Sequence, residues 1–482
     1  MTDLPVDGIV ELEYQVTIFA AEVTGVAGEV TRAPAAGLPA RDIEPGTLPE
    51  VLPGQALLAE RAEEAGMRRA LTIPLDELAV RPNAEAPRLE VTVPAPNLDE
   101  AQAVLEVDEF GLVRWHFATD SEPSGGPVRG ELTQTFSIPV EPIEIDGDPV
   151  ARERGFLGIG VRKVLHLIRF PVEYVAGRVA EFAVGRWEDK YRPYGLHRAS
   201  PRYFAGAPDP ADAGLFDGAP VLLLIHGTFS VGRSGFAGLA ALLPELTRRY
   251  DGRVVVFDHP SVHVDPDENV RRLLASLPPA ATSVVDVVAH SRGGLVARQL
   301  ASAGQPAPAV RRIIHVATPN AGTTLASPEH LGDLLDMFSN LVNLFTDEGS
   351  GAVASAVIEV VKQIATGALG GLDGLAAMDP AGTALAQLNK APADPATKVA
   401  AITCDYDAAG AAAALRALDF AADRLFGTGN DLVVPTTGVY DAGSYRVDDR
   451  LDLTGSTPSI AHSSFLGDPR VHAWLADRLP GS

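Results

Sequence analysis

The period of apolar and polar positions changes twice along the chain. In residues 1–150 the apolar residues fall in short, partly alternating runs: Val10–Ala20, Arg88–Val93, Ala103–Val107, Gly111–Phe117 and Glu131–Ile138. Runs of this kind, rich in Val, Ile, Tyr and Phe and punctuated by Pro, Gly and Asp, predict short antiparallel strands, because successive side chains leave opposite faces of a sheet. A small β-rich domain of the sandwich kind is expected, and nothing in it suggests chemistry. Between Phe156 and Tyr191 the pattern differs. Val161, Val164, Leu165, Ile168, Val172, Val175, Val179 and Phe182 recur at helical spacing, with Arg162, Lys163, Arg169, Arg178 and Arg186 between them. The reading is a basic amphipathic helix, kinked at Pro171, within a connector spanning 151–210. Such a helix either packs on the first domain or lies on an anionic membrane surface.

From Pro220 onward, strands and helices alternate. Val221–Ile225 is a continuous apolar run, as in buried parallel strands. Phe236–Tyr250 reads as helix and Arg253–Phe257 as strand. Asp265-Pro266-Asp267-Glu268 supplies a helix cap, a proline at the first position and an acid at the third. Val284–Ala289 is a strand, Gly293–Ser302 a helix, and Ile313–Ala317 and Lys398–Thr403 are further strands. The predicted class is α/β, a mostly parallel sheet with helices on both faces, over residues 211–482. About 75 residues separate Thr323 from Lys398, far more than an ordinary connection. Leu331, Leu334, Leu335, Phe338, Leu341, Val342 and Phe345 follow helical spacing, and so do Val353, Val357, Val361 and Ile364. A helical cap inserted at about 324–397 is expected, with Gly367–Gly374 as a flexible stretch.

Charge divides the chain in the same places. Residues 1–150 carry a net −19, 151–200 a net +5 and 201–482 a net −10, within a total of −24. That balance disfavours nonspecific nucleic-acid binding, which needs Lys and Arg to neutralise phosphates. The single cysteine, Cys404, excludes an intrachain disulfide and a Cys-rich zinc cluster, and reads as an apolar filler at a strand end. The N-terminus lacks the basic and apolar regions of a secretory signal, and no charge-free apolar run approaches about 18 residues. The expectation is a cytoplasmic protein, with any peripheral membrane contact made through residues 156–191.

The chemistry concentrates at Ala289-His290-Ser291-Arg292-Gly293-Gly294, where a strand runs into a serine and a helix follows at once. This is G-x-S-x-G with alanine first. The turn is tight enough to demand small residues two before and two after the serine, and it lifts the hydroxyl above the sheet. The first buried strand ends in His226-Gly227-Thr228. Downstream histidines are His315, His330, His462 and His472. His462 follows the loop after the strand-like Tyr445–Leu453, where a base is expected; His472, on the terminal helix, reads as a solvated face. For an acid the candidates are Asp431, and Asp405 or Asp407 just beyond Lys398–Thr403. The aspartates not used are expected to cap turns.

With these motifs, joined by Thr318-Pro319-Asn320-Ala321-Gly322, Gly429-Asn430-Asp431-Leu432-Val433-Val434-Pro435 and His462-Ser463-Ser464, the chain resembles the lipase-like α/β-hydrolase superfamily over about residues 219–478. The resemblance implies Ser291 as nucleophile, His462 as base, Asp431 as acid, and the backbone N–H groups of Thr228 and Arg292 as oxyanion donors. It also implies a cap over the serine, whose apolar stripes suit a lipid or long-chain acyl ester. No metal or organic cofactor is needed. His226 is expected to brace the oxyanion loop and His290 to fill the turn. The Arg292 side chain is expected to pair with a nearby acid. Three other readings stay open: a catalytically silent binding or scaffold protein on the same frame, acyl transfer or thioester or amide cleavage through the same serine, and a membrane-acting lipase effector regulated by its N-terminal domain.

Overall fold

The structure, a computed structural model, describes residues 1–32, 52, 54–81, 83–119, 133–140, 161–172, 174–175, 178–179, 183–277, 283–304, 307–345 and 349–479. The strands of the N-terminal part are β1 (Thr2–Leu4), β2 (Gly8–Glu11), β3 (Thr17–Ala21), β4 (Val23–Ala27), β5 (Thr31–Arg32), β6 (Arg68–Val80), β7 (Arg88–Pro94), β8 (Glu100–Asp108), β9 (Val113–His116), β10 (Thr133–Pro139) and β11 (Val161–Pro171). One sheet runs β1-β4-β6-β11-β8-β9, with β5 also on β6; the other runs β10-β7-β3-β2. Every pairing is antiparallel. Ile18, Val91 and Phe136 from the smaller sheet meet Ile73, Leu165 and Leu167 from the larger in one core. The unit is a sandwich, as the alternation predicts. Val10–Ala20, read as one run, is instead a hairpin that turns at Glu13–Gln15.

The largest departure from the sequence reading lies in 161–171. The segment is not an amphipathic helix but a central strand, β11, between β6 and β8. It is buried on both faces: Leu165 and Leu167 face the sandwich core, while Ile168 and Phe170 face a core shared with the cap. A strand apolar on both faces satisfies helical spacing by accident, and Arg and Lys at its ends complete the imitation. Those cations find partners inside the unit. Lys163 is buried and donates to Glu106 at 2.6 Å, Arg162 pairs with Asp76 at 2.9 Å, and Arg169 donates to Gln102 at 3.0 Å. The helical basis for membrane contact is therefore missing over 161–171. Residues 156–160 and several between 173 and 182 lie outside the described set. A two-residue hairpin, β12 (Tyr174–Val175) with β13 (Arg178–Val179), precedes helix α2 (Ala183–Tyr191); α1 is Gln55–Glu64.

The second sheet contains β14 (Gly195–Arg198), β15 (Val221–Ile225), β16 (Val254–Asp258), β17 (Val285–His290), β18 (Val310–Val316), β19 (Lys398–Thr403) and β22 (Asp449–Asp452), with the small hairpin β20 (Asp441–Ala442) and β21 (Tyr445–Arg446) outside it. The order is β14-β16-β15-β17-β18-β19-β22, parallel except for β14. Strand pairing thus puts the end of the β-rich unit at 171 rather than 150, and the start of the α/β unit at 195 rather than 211. Helices α3 (Pro266–Ser276) and α4 (Gly293–Ser302) cover one face, burying Val270, Leu273, Val296 and Leu300 against Leu223, Val255 and Val287. Leu243–Arg249 and the terminal helix Pro469–Arg478 cover the other, over Leu222, Val256 and Val288. Asp265 caps α3 as its sequence predicts, accepting from the Glu268 N–H at 2.7 Å. The insertion after β18 contains α5 (Leu331–Leu344) and α6 (Ser350–Ala365).

Candidate active site

β15 is followed in sequence by β16 on one side and β17 on the other, so the chain reverses direction across β15. At such a switch point the carboxyl ends of neighbouring strands diverge and leave a crevice, the usual ligand position in open α/β sheets. His226-Gly227-Thr228 leaves β15 there, and Ser291 leaves β17.

Ser291 has a left-handed backbone, φ +53, which is strained for a residue with a Cβ. The turn is held by the Ser291 N–H donating to Val316 O at 2.8 Å. Its tightness explains the glycines. A Cβ on Gly293 would stand 2.3 Å from Ile225 O, and one on Gly227 would stand 2.6 Å from the Ser291 Cβ. Ala289 is fully buried in the strand and meets the demand for a small residue upstream.

Three of the expected side chains meet. His462 Nε2 lies 3.0 Å from Ser291 Oγ, and His462 Nδ1 lies 2.9 Å from Asp431 Oδ2. A carboxylate only accepts, so Nδ1 carries the proton and Nε2 is left to accept from the serine hydroxyl. The other oxygen of Asp431 accepts the N–H groups of Val433 and Val434 at 3.1 and 2.8 Å, and the His462 N–H donates to Asp431 O at 3.0 Å. Acid and base are thereby held together by a backbone bond as well as a side-chain bond. Asp405 and Asp407 do not reach His462. Asp405 accepts the Asn430 N–H at 3.0 Å and Asp407 the Ala409 N–H at 2.8 Å, the turn roles expected of the unused acids.

Around this chain, His226 Nδ1 donates to Gly227 O at 2.9 Å while its Nε2 accepts the His259 N–H at 3.3 Å, bracing the turn that presents Thr228. Among the described residues, the backbone N–H groups of Thr228 and Arg292 have no protein acceptor. His290 donates from Nε2 to His462 O at 3.0 Å; burial, with His462 nearby, pushes its pKa down to about 4. Two expectations fail. Among the described residues the Arg292 guanidinium forms no ion pair; it is enclosed and donates to Gly374 O at 2.8 Å, to Val264 O and to Asn269 Oδ1 at 3.1 Å, and burial lowers its pKa to about 10. It fastens the cap and the loop after β16 to the base of α4. His472 is not a free solvated side chain, since its Nε2 reaches Leu466 O at 2.7 Å. His315 is buried against Tyr445 and His330 sits by Asp333, both away from Ser291. Cys404 is buried just beyond β19, and burial raises its pKa.

Two supports have no signal in the sequence. Glu188 of α2, fully enclosed, accepts the N–H groups of Ser261, Val262 and His263 and so shapes the loop after β16. Phe338 of α5 stands edge-on to the rings of Phe229 and His462, with centroids 4.8 and 6.5 Å away. With Leu341, Val342 and Val353 it roofs a cavity of about 70 Å³ that reaches Ser291 and Thr228. Ser291 is 4% exposed and His462 2%, so both side chains lie deep beneath this roof.

No curated protein matches the sequence. Among solved structures, the mature lipase BlEst2 of Bacillus licheniformis is similar at 16% identity and a TM-score of 0.31, over 54% of this chain and 92% of that one. Lipase 1 of Pelosinus fermentans is similar at 14% identity and 0.36, over 54% and 98%. Phospholipase PlaB of Legionella pneumophila is similar at 14% and 0.35, over 54% and 60%. Residues 191–480, from the end of α2 through the whole parallel sheet to the terminal helix, match the family model described as a domain of unknown function (DUF7379), and the chain belongs to that family.

Proposed function

We propose that the chain is a serine hydrolase of carboxylic esters that works through an acyl-enzyme on an α/β-hydrolase frame. The observation that carries the reading is the hydrogen-bonded series Ser291–His462–Asp431 at the carboxyl ends of the strands. In the proposed reaction His462 Nε2 takes the Ser291 proton as Oγ attacks the acyl carbonyl. Asp431 holds the imidazole in the useful tautomer and stabilises the cation. The backbone N–H groups of Thr228 and Arg292 receive the oxyanion, each worth about 3 kcal/mol in such sites. His462 returns the proton to the leaving alcohol, and water releases the acid by the same steps in reverse roles.

A lipid or long-chain acyl ester is the substrate that best fits the cap. Phe338, Leu341, Val342 and Val353 are apolar where they border the serine, and each methylene buried among them is worth about 0.8 kcal/mol. The test is labelling with a fluorescent fluorophosphonate, which reacts with an activated serine whatever the substrate. Wild type is expected to label and Ser291→Ala to fold normally without labelling. Labelling retained in the variant would remove Ser291 from the mechanism. An ester chain-length series then reads the substrate class.

A further inference from the structure

The face of α5 turned away from Ser291 carries contacts that the hydrolysis reading does not use. β9 is the edge strand of the larger N-terminal sheet, and an edge strand leaves a row of backbone N–H and C=O groups unpaired. Side chains of α5 take up that row. Val113 N–H donates to Asn340 Oδ1 at 2.9 Å, and Asn340 Nδ2 donates to Val113 O at 2.9 Å. One turn earlier on the helix, Asp336 Oδ1 accepts the Trp115 N–H at 2.7 Å, and the Trp115 indole N–H donates to Ser339 Oγ at 3.1 Å.

The fit has a simple geometric cause. Residues four apart on a helix rise about 6 Å, and residues two apart on a strand advance about 6.6 Å. Asp336 and Asn340 therefore match Trp115 and Val113 in register, and the helix stands in for a missing strand. Asn340 and Trp115 are each 3% exposed, and Asp336 is half-buried at the rim of the seam. Burial pushes the Asp336 carboxyl well above the usual carboxylate range. A second hold lies at the end of α5, where the Gly54 N–H ahead of α1 donates to Asn343 O at 2.9 Å. Gly54 sits so close that a Cβ would stand 2.0 Å from Val342 O.

Positions 336 and 340 lie on the side of the helix opposite 338 and 342, because residues two apart are turned by about 200°. One side of α5 thus completes the N-terminal sheet while the other roofs the Ser291 cavity. Moving α5 outward would strand the buried amide of Asn340 and the edge of β9, each an expensive loss in a closed interface. We propose that β9 is a latch: the N-terminal unit holds α5 shut over Ser291, and the site opens when the β9–α5 seam parts. The activity readout rests on Ser291 being the nucleophile; the seam itself does not.

The test uses the full chain. Asn340→Leu keeps the volume and removes both bonds, Trp115→Phe removes only the indole donor, and Asp336→Asn keeps the acceptor and serves as the matched control. Two quantities are measured: amide exchange across residues 331–344, and the rate of Ser291 labelling by a bulky fluorophosphonate. Losing the two bonds should speed both by about tenfold in Asn340→Leu, less in Trp115→Phe and hardly at all in Asp336→Asn. Wild-type exchange and labelling in a folded Asn340→Leu protein would overturn the latch. Should that variant fail to fold, unchanged exchange in Trp115→Phe would overturn it instead. Faster exchange with no labelling of any protein, wild type included, would keep the latch and remove the nucleophile reading.

Discussion

At the scale of single residues, the candidate site is built from groups whose alternatives the geometry eliminates. Three aspartates compete in the sequence for the place beside His462, and only Asp431 reaches it, at 2.9 Å. Asp407 is instead spent on the Ala409 N–H. Asp431→Asn would offer an amide where the imidazole N–H needs an acceptor, favouring the wrong tautomer. It should lower ester turnover by about 10³–10⁴-fold, with the fold retained. Asp407→Asn should change it by less than a few-fold. Steady-state rates on one soluble ester compare the two, and the opposite order would move the acid. The site was largely legible at this scale because its constraints are local. A strained turn needs Ala289 and Gly293, and a strand end needs His226-Gly227. Arg292 was not legible, since what surrounds its guanidinium is decided by two separate parts of the chain, residues 264–269 and Gly374.

Elements show the reverse balance. Most strands and helices from 221 onward follow their sequence pattern, with Gly293–Ser302 and Lys398–Thr403 ending where the pattern ends; Phe236–Tyr250, read as one helix, is instead a 3-10 turn at Ala237–Ala241 and a helix at Leu243–Arg249. β11 does not, because burial on both faces erases the two-residue period by which a strand is recognised. The turn joining β8 to β9 carries a titration of its own. Asp108 Oδ1 accepts the Phe110 and Leu112 N–H groups at 2.9 and 3.0 Å, and burial, with the charge of Glu106 beside it, raises its pKa to about 6. A raised carboxyl binds its proton more tightly in the folded chain. Its contribution is therefore present below the ordinary carboxylate range and is lost as pH rises from about 4 to 6. Asp108→Asn keeps the acceptor and removes the charge. It should be more stable than wild type by roughly 2–3 kcal/mol at pH 8, with the difference vanishing near pH 4. Denaturant midpoints at the two pH values measure this, and an equal difference at both would refute the assignment.

Across the whole molecule, the two units share a core. Ala103, Trp115, Ile168 and Phe170 of the sandwich pack in one cluster with Leu334, Leu341, Val357 and Ile358 of the cap. Unfolding of one unit should then draw in the other. Lys163→Ala tests this from the far side of the sandwich. It leaves Glu106 enclosed without its lysine, where now Lys163, His116 and Arg114 together overcome the effect of burial and hold its carboxyl below the usual range. Breaking such a buried pair costs about 3 kcal/mol or more. Calorimetry should show one transition, shifted as a whole to lower temperature. Two separated transitions, with only one moved, would mean that the units unfold independently. No helix among the described residues is long and apolar enough to cross a membrane.

What the sequence determined alone is what short-range stereochemistry can enforce: the α/β alternation, the strained serine turn and the capped start of α3. Each depends on residues within a few positions of one another, or on a hydrophobic period a single element must keep. What only the tertiary structure decided is what depends on neighbours far along the chain. That β11 is a strand follows from sheets on both sides of it. That Arg292 meets carbonyls follows from segments 28 and 82 residues away, and that Asp336 and Asn340 complete the edge of β9 follows from surfaces brought together across more than 200 residues; a local pattern carries no record of partners so distant.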